Sequence, residues 1–284
     1  MKPFLPWPGS KEKCARDIIA EFPPSFETYH EPFLGSGAIF FAMNNWTSRV
    51  EGQVARTGFK AARLADTNRN LINCWKAVME RPESVEKMLG HCLQRNSQEF
   101  YNAMREQLEN PSVFLYVMRA GFSSMYRENI KGKFNVPWRK QDFETNGKSI
   151  SFDMERIGLC SRYMRSKNIE LMVADWMVSS QDAKAGDLVY FDPPYIPYAD
   201  NGFTNYQAAG FSEGQHVFLR TQARLLSERG VHVVLSNSLT DNSRRIYGEP
   251  HKVINVVNSV KSTATTKGTR AEGLWVWTPK ERPK

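Results

Sequence analysis

The sequence predicts an α/β fold: an open, mainly parallel sheet interrupted by an inserted, mainly helical domain. Three observations carry this. Four short apolar runs each close on a carboxylate, helical signals lie between those runs, and the alternation stops over residues 81–165. Strands alternating with helices specify a parallel sheet covered on its faces, and a long break filled only by helical spacing specifies an insertion.

In chain order, residues 12–21 carry the first helical signal. Thr28-Tyr29-His30-Glu31 reads as the first strand, and residues 38–45 as its helix. Residues 46–60 are polar without periodicity and are expected to be an extended surface loop. Residues 62–66, ending on Asp66, form the next strand, and residues 70–79 the next helix. The spacing of Val85, Met88 and Leu89, then Tyr101, Met104 and Leu108, then Phe114, Leu115 and Met118 is helical. Strands resume at residues 169–175 and 188–192. Ser212 is placed to cap a helix that runs to residue 228, and residues 231–236 add a strand. Residues 253–260 and 274–277, separated by residues 261–273, are expected to pair as a hairpin at the sheet edge. The implied division is 1–80, 81–165 and 166–284, with the outer two segments forming one domain. Ligands of open parallel sheets bind beyond the carboxyl ends of the strands, so Glu31, Asp66, Asp175 and Asp192 are expected to converge on one crevice.

A chain of 284 residues accommodates one large core with a modest second domain. Its 12% aromatic content supplies core-forming rings that a disordered chain lacks. No apolar run approaches the ~20 residues of a membrane span, and residues 1–13 lack a signal-peptide core, so the cytoplasm is expected. The four cysteines (Cys14, Cys74, Cys92, Cys160) and five histidines are scattered. Neither a disulfide framework nor a metal site has a spacing to recommend it, and reduced thiols are expected. A net charge of +8 suits a polyanionic partner but also occurs in ordinary enzymes.

Two turns carry chemistry. Glu31-Pro32-Phe33-Leu34-Gly35-Ser36-Gly37 joins the first strand to its helix, and its glycines permit positive φ and close approach to a ligand. It lacks the full dinucleotide-binding pattern and the phosphate-binding lysine, and an isolated Gly-Ser-Gly is more often a plain turn. Asp66, ending the next strand, is placed to hold a ribose diol. The second turn is Asp192-Pro193-Pro194-Tyr195. Its prolines fix φ twice and remove two N–H donors. A carboxylate, a free carbonyl and a ring then suit a flat base carrying an amine: Asp192 and the Pro193 carbonyl accept its two N–H bonds while Tyr195 stacks on it. An exocyclic amine is a weak nucleophile because its lone pair is conjugated with the ring. Bonds to both hydrogens favour the pyramidal form and free that pair, so positioning is the main contribution. Residues 119–140 interleave cations with aromatics, a combination suited to phosphate and base-edge contacts, although basic runs are usually solvated surface.

These motifs, together with Phe-Leu-Pro-Trp-Pro-Gly-Ser-Lys at residues 4–11, Ser236-Asn237 and Gly268-Thr269-Arg270, resemble the Dam-type (D12 class) DNA adenine-N6 methyltransferases over nearly the whole chain. The resemblance implies a Rossmann-like methyltransferase sheet and S-adenosyl-L-methionine as cofactor. It further implies transfer of a methyl group to the N6 amine of adenine in double-stranded DNA, with the target base flipped out. It assigns catalysis to Asp192, Pro193, Pro194 and Tyr195. It assigns the cofactor to Trp7, Lys11, Glu31, Pro32, Phe33, Gly35, Ser36, Gly37, Asp66, Asp175, Trp176 and Asp192, although core packing alone also explains Trp176. Within residues 81–165, the family's recognition domain, Phe122 and Ser123 match a wedge beside the flipped base, Met125 an apolar base contact and Arg127 a guanine-reading arginine. Asn129 matches a phosphate contact and Pro137 a thymine contact, with Lys131, Lys133 and Arg139 joining the DNA-binding set. Residues 261–270 are a second candidate for phosphate binding. No metal, membrane or particular oligomeric state is implied, and a monomer suffices. Two departures stand out: Pro6 replaces a lysine that helps many members read the first base pair, and Phe122-Ser123-Ser124 replaces a Phe/Tyr-Asn-Gly. A relaxed GATC or another short adenine-containing site is therefore expected. The same turn tolerates RNA or the cytosine N4 amine, and a non-catalytic DNA-binding protein on this fold is the rival of another class.

Overall fold

The computed structural model describes residues 1–45, 47–50, 53–56, 59–198, 211–257 and 269–279. Among these residues the strands are β1 (Thr28–Glu31), β2 (Thr47–Val50), β3 (Gln53–Arg56), β4 (Ala61–Asp66), β5 (Asn168–Val173), β6 (Leu188–Phe191), β7 (His232–Ser238), β8 (Lys252–Val257) and β9 (Thr269–Trp277). Seven form one mixed sheet in the order β5-β4-β1-β6-β7-β9-β8. The first five are parallel, and β9 lies antiparallel between β7 and β8. From β1 the chain winds outward through β4 to β5, then returns to β6 and winds the other way. The switch point lies between β1 and β6, where open α/β sheets bind ligands.

Strand β6 is buried at all four positions, as expected of a central parallel strand covered on both faces. Leu188 and Tyr190 belong to one hydrophobic cluster, Val189 and Phe191 to another. The first cluster joins the sheet to helices α3 (Arg69–Glu80), α4 (Pro82–Gln94), α6 (Pro111–Ala120) and α7 (Met154–Arg165), which follow α1 (Ala15–Ile19) and α2 (Ala38–Ala42) and enclose the short α5 (Gln98–Met104). The caps are local. Asn68, Ser97, Asn110 and Asp153 each accept a first-turn amide, and Pro82 and Pro111 occupy first positions where no N–H is required. The second cluster packs α8 (Trp176–Ser180), α9 (Glu213–Glu228) and α10 (Asp241–Tyr247) over the other face. Ser212 caps α9 through a reciprocal box with Gln215, as its position in the sequence predicts.

Several expectations change. The stretch 46–60 is not simply a loop: β2 and β3 pair antiparallel, with Val50 opposite Gln53 and only Glu51-Gly52 between them in sequence. The β-branched Thr47, Val50 and Val54 favour strand over loop. Helix α1 is shorter than residues 12–21, because Cys14 at its start offers no side-chain cap. Strand β5 stops at Val173, and Asp175 instead caps α8 by accepting from the Met177 amide at 2.9 Å. The late hairpin forms with β8 at the edge. All four cysteines are buried and unpaired. No helix among the described residues is long and apolar enough to cross a membrane.

Candidate active site

Glu31, Asp66 and Asp192 lie at the carboxyl ends of β1, β4 and β6, three adjacent strands, with Asp175 beyond β5. Behind β1 the chain turns through Gly35 (φ +48) and Gly37 (φ +64). Both glycines are required: a Cβ on Gly35 would meet the Trp7 ring at 2.8 Å, and one on Gly37 would meet Trp75 at 2.3 Å. The turn is fastened by Asp66, whose Oδ2 accepts from the Gly35 amide at 3.0 Å and Oδ1 from Asn68 at 2.9 Å. Burial raises the Asp66 carboxyl, and these backbone amides work against the rise. Trp75 Nε1 donates to the Gly35 carbonyl, and Ser36 pairs with Ser10 at 3.0 Å. Pro32 and Ser36 are buried within the turn. The cradle thus presents an accepting carboxylate beside a close-approach backbone, as the hydroxyl donors of a ribose diol need.

Phe33 and Trp176 stack at 6.4 Å, and Trp176 also meets Phe191 and Phe211. Trp176 is buried inside the second cluster, so core packing accounts for it, although its Nε1 has no hydrogen-bond partner among the described residues.

Beyond β6, Asp192 is held on both oxygens. Lys11 Nζ lies 2.8 Å from Oδ2, and Ser236 donates to Oδ1 at 2.9 Å. The register explains the second contact: Phe191 pairs with Leu235, so the next residue of each strand lies level. Tyr190 completes the chain through Ser236 at 2.7 Å. Lys11 also donates to the Gly9 carbonyl at 2.8 Å and sits 4.5 Å over the centre of the Tyr195 ring. Burial alone would lower this ammonium, but Asp192 and Glu272 outweigh it and hold Lys11 above the usual lysine value. Pro193 is buried and Pro194 exposed. Asn237 braces the turn, its Oδ1 accepting from the Ile196 amide at 3.0 Å. Glu31 lies nearby, bonded by the Tyr29 hydroxyl at 3.0 Å, and burial pushes its carboxyl well above the ordinary range. Each Asp192 oxygen retains a further lone pair, so the carboxylate can still accept from an incoming amine.

Residues 121–138 double back on themselves, with bridges between Gly121 and Trp138 and between Glu128 and Phe134. Phe122 is 52% exposed and Ile130 at the tip 93%, with Met125, Asn129, Lys131, Lys133 and Pro137 also exposed. Ser123 and Ser124 both hold positive φ (+53 and +51), a strained state for serine that sharpens the bend beside Phe122. Arg127 is aimed by Asn135, whose Oδ1 accepts from Nε at 2.7 Å. Asn129 Oδ1 accepts from the Lys131 and Lys133 amides, closing the tip. Arg139 departs from expectation: its Nη2 donates to the carbonyls of Arg119 and Gly121, so it fastens the end of α6 rather than pointing free. Trp7 stacks on Tyr126 at 5.2 Å and ties the hairpin to the glycine turn. Of the stretch 261–270, residues 261–268 lie outside the described residues. Sequence reasoning missed Tyr126, Asn135 and Glu272. Glu272 accepts the Tyr195 hydroxyl at 2.9 Å, and only proximity to Gly268-Thr269-Arg270 could have drawn attention to it.

The sequence pattern of the D12 class N6 adenine-specific DNA methyltransferases matches residues 7–263. The type II methyltransferase M1.LlaDCHI of Lactococcus lactis subsp. cremoris is 31% identical, the alignment covering 95% of this chain and 93% of that protein. The DNA adenine methylase of Escherichia coli K12 is 29% identical over 94% of this chain and 91% of its own. That of Vibrio cholerae O395 is 27% identical over 97% and 96%.

Proposed function

The chain belongs to the D12 class N6 adenine-specific DNA methyltransferases, and on that premise we propose a site-specific enzyme that takes adenine, flipped out of duplex DNA, into the pocket formed by Asp192, Pro193, Pro194 and Tyr195. One observation carries the reading: Asp192 stands at the switch point with each oxygen held by a separate donor, beside a tyrosine ring. In this pocket Asp192 and the Pro193 carbonyl accept the two N6 hydrogens and turn the amine pyramidal. Tyr195 replaces the stacking that the base loses on leaving the duplex.

S-adenosyl-L-methionine is the proposed donor, supplying an electrophilic methyl group on its sulfonium. Gly35 and Gly37 would admit it close to the backbone, Asp66 would hold its ribose, and Asp175 would stand on its adenine side. Trp7 and Lys11 are proposed to close the site from the amino-terminal segment. Residues 1–80 and 166–284 would make up the catalytic domain and residues 81–165 the target-recognition domain. There Phe122, Ser123, Met125, Arg127 and Pro137 would meet bases, and Asn129, Lys131 and Lys133 phosphates. The half-committed Arg139 is proposed as a brace for this surface.

Methylation-sensitive sequencing of host DNA with and without the protein tests the reading. N6-methyladenine at one short motif, present only with the protein, is expected. Methyl groups on cytosine N4 or on RNA alone would replace it.

A further inference from the structure

We propose that Glu272 is a positioning residue: by accepting the Tyr195 hydroxyl it sets the plane of the ring against which the flipped adenine stacks. The proposal rests on the reading of the Asp192 to Tyr195 turn as the target-base pocket.

Glu272 belongs to no motif. It lies on β9, opposite Ser238 of β7. Yet β9 grips the turn at two successive residues. The carbonyl of Ala271 accepts the Tyr198 hydroxyl at 2.6 Å, and Glu272 accepts that of Tyr195 at 2.9 Å. With Asn237 holding the Ile196 amide, the turn is anchored from both β7 and β9. A tyrosine ring rotates about two torsions and its hydroxyl is its only polar handle: a bond there fixes where the ring lies through the first, and because the conjugated O–H prefers the ring plane, the direction of the acceptor biases the second. An ionised acceptor makes the stronger bond. Burial raises the Glu272 carboxyl while Lys11 and the Tyr195 hydroxyl pull it back, so the group is held among its partners instead of being left to water. The same ring meets the Lys11 ammonium 4.5 Å from its centre, so the ring is held at its face and at its edge.

The test uses the full chain and a DNA duplex bearing the site found by methylation sequencing, with 2-aminopurine in place of the target adenine. Its fluorescence reports flipping, and KM for the unmodified duplex is measured beside it. Glu272→Ala and Tyr195→Phe should each reduce the flipped signal and raise KM about tenfold, the scale of one lost hydrogen bond to a charged group. The double variant should lose no more than either single one. Glu272→Gln, whose amide oxygen still accepts, should recover most of the loss. Strictly additive losses, a Glu272→Ala that flips like wild type, or a Gln variant no better than Ala would overturn the proposal. Should Glu272→Ala not fold, Tyr195→Phe against Glu272→Gln carries the same comparison. A wild-type protein that neither flips nor methylates would instead overturn the pocket reading itself.

Discussion

Replacing Lys11 by methionine keeps the shape of the side chain and removes its charge. In the native protein the ammonium is 2.8 Å from Asp192 Oδ2, with the lysine and aspartate side chains only 9% and 17% exposed. At that distance and an effective dielectric constant of about 20 the gross attraction is about 6 kcal/mol, of which desolvation of both ions cancels a large part. Removing one partner leaves the carboxylate half-buried with Ser236 and facing Glu272, a like charge. Breaking a buried pair costs about 3–5 kcal/mol, and the residual exposure of Asp192 places this case near about 3 kcal/mol. Urea unfolding of wild type and Lys11→Met at pH 7 measures the loss, and single-turnover methyl transfer should fall at least about tenfold as Asp192 loses its orientation. A stability change within about 0.5 kcal/mol together with wild-type turnover would refute the reasoning, because such values belong to surface positions.

Asp66→Ala should weaken S-adenosyl-L-methionine binding by about tenfold to a hundredfold in calorimetry, through lost charge-assisted bonds and a freed Gly35 turn, and unchanged affinity in a folded variant would reassign Asp66. Arg127→Ala should cost about 1–3 kcal/mol at one base pair and little elsewhere, measured as methylation rates on duplexes substituted singly at each position. Equal slowing on all of them would make Arg127 a phosphate contact. Glu31 keeps its proton in the folded chain above its ordinary value of 4.5, so its contribution to stability is present below that pH and is lost as pH rises through the raised folded value. Glu31→Gln, which cannot titrate, should therefore gain on wild type in thermal midpoint as pH increases from about 4, whereas parallel curves would show Glu31 ionised throughout.

The sheet was legible because burial on both faces writes a strand as a continuous apolar run, as in Leu188–Phe191, and because the acids at strand ends mark the ligand-binding edge. The Asp192 turn was legible for the same local reason: two prolines after a strand admit few conformations. What escaped is long-range. Glu272 is an unremarkable acid in β9 until pairing with β7 brings it level with Ser238 and under Tyr195. Arg139 and Lys131 look alike in a basic run, yet one binds the carbonyls at the end of α6 and the other faces solvent. Short elements escaped because one or two turns carry no period. Helix α10 and the β2–β3 pair were both missed in this way.

The central claim is that adenine N6 is methylated in the pocket of Asp192. Purified protein, methyl-labelled S-adenosyl-L-methionine and duplex DNA carrying the identified site, followed by digestion to nucleosides, measure it directly. Wild type should place label in N6-methyl-2′-deoxyadenosine alone. Asp192→Ala, folded and still binding the duplex, should place none. Label in that variant at the wild-type single-turnover rate, or label on any base other than adenine in the wild type, would contradict it.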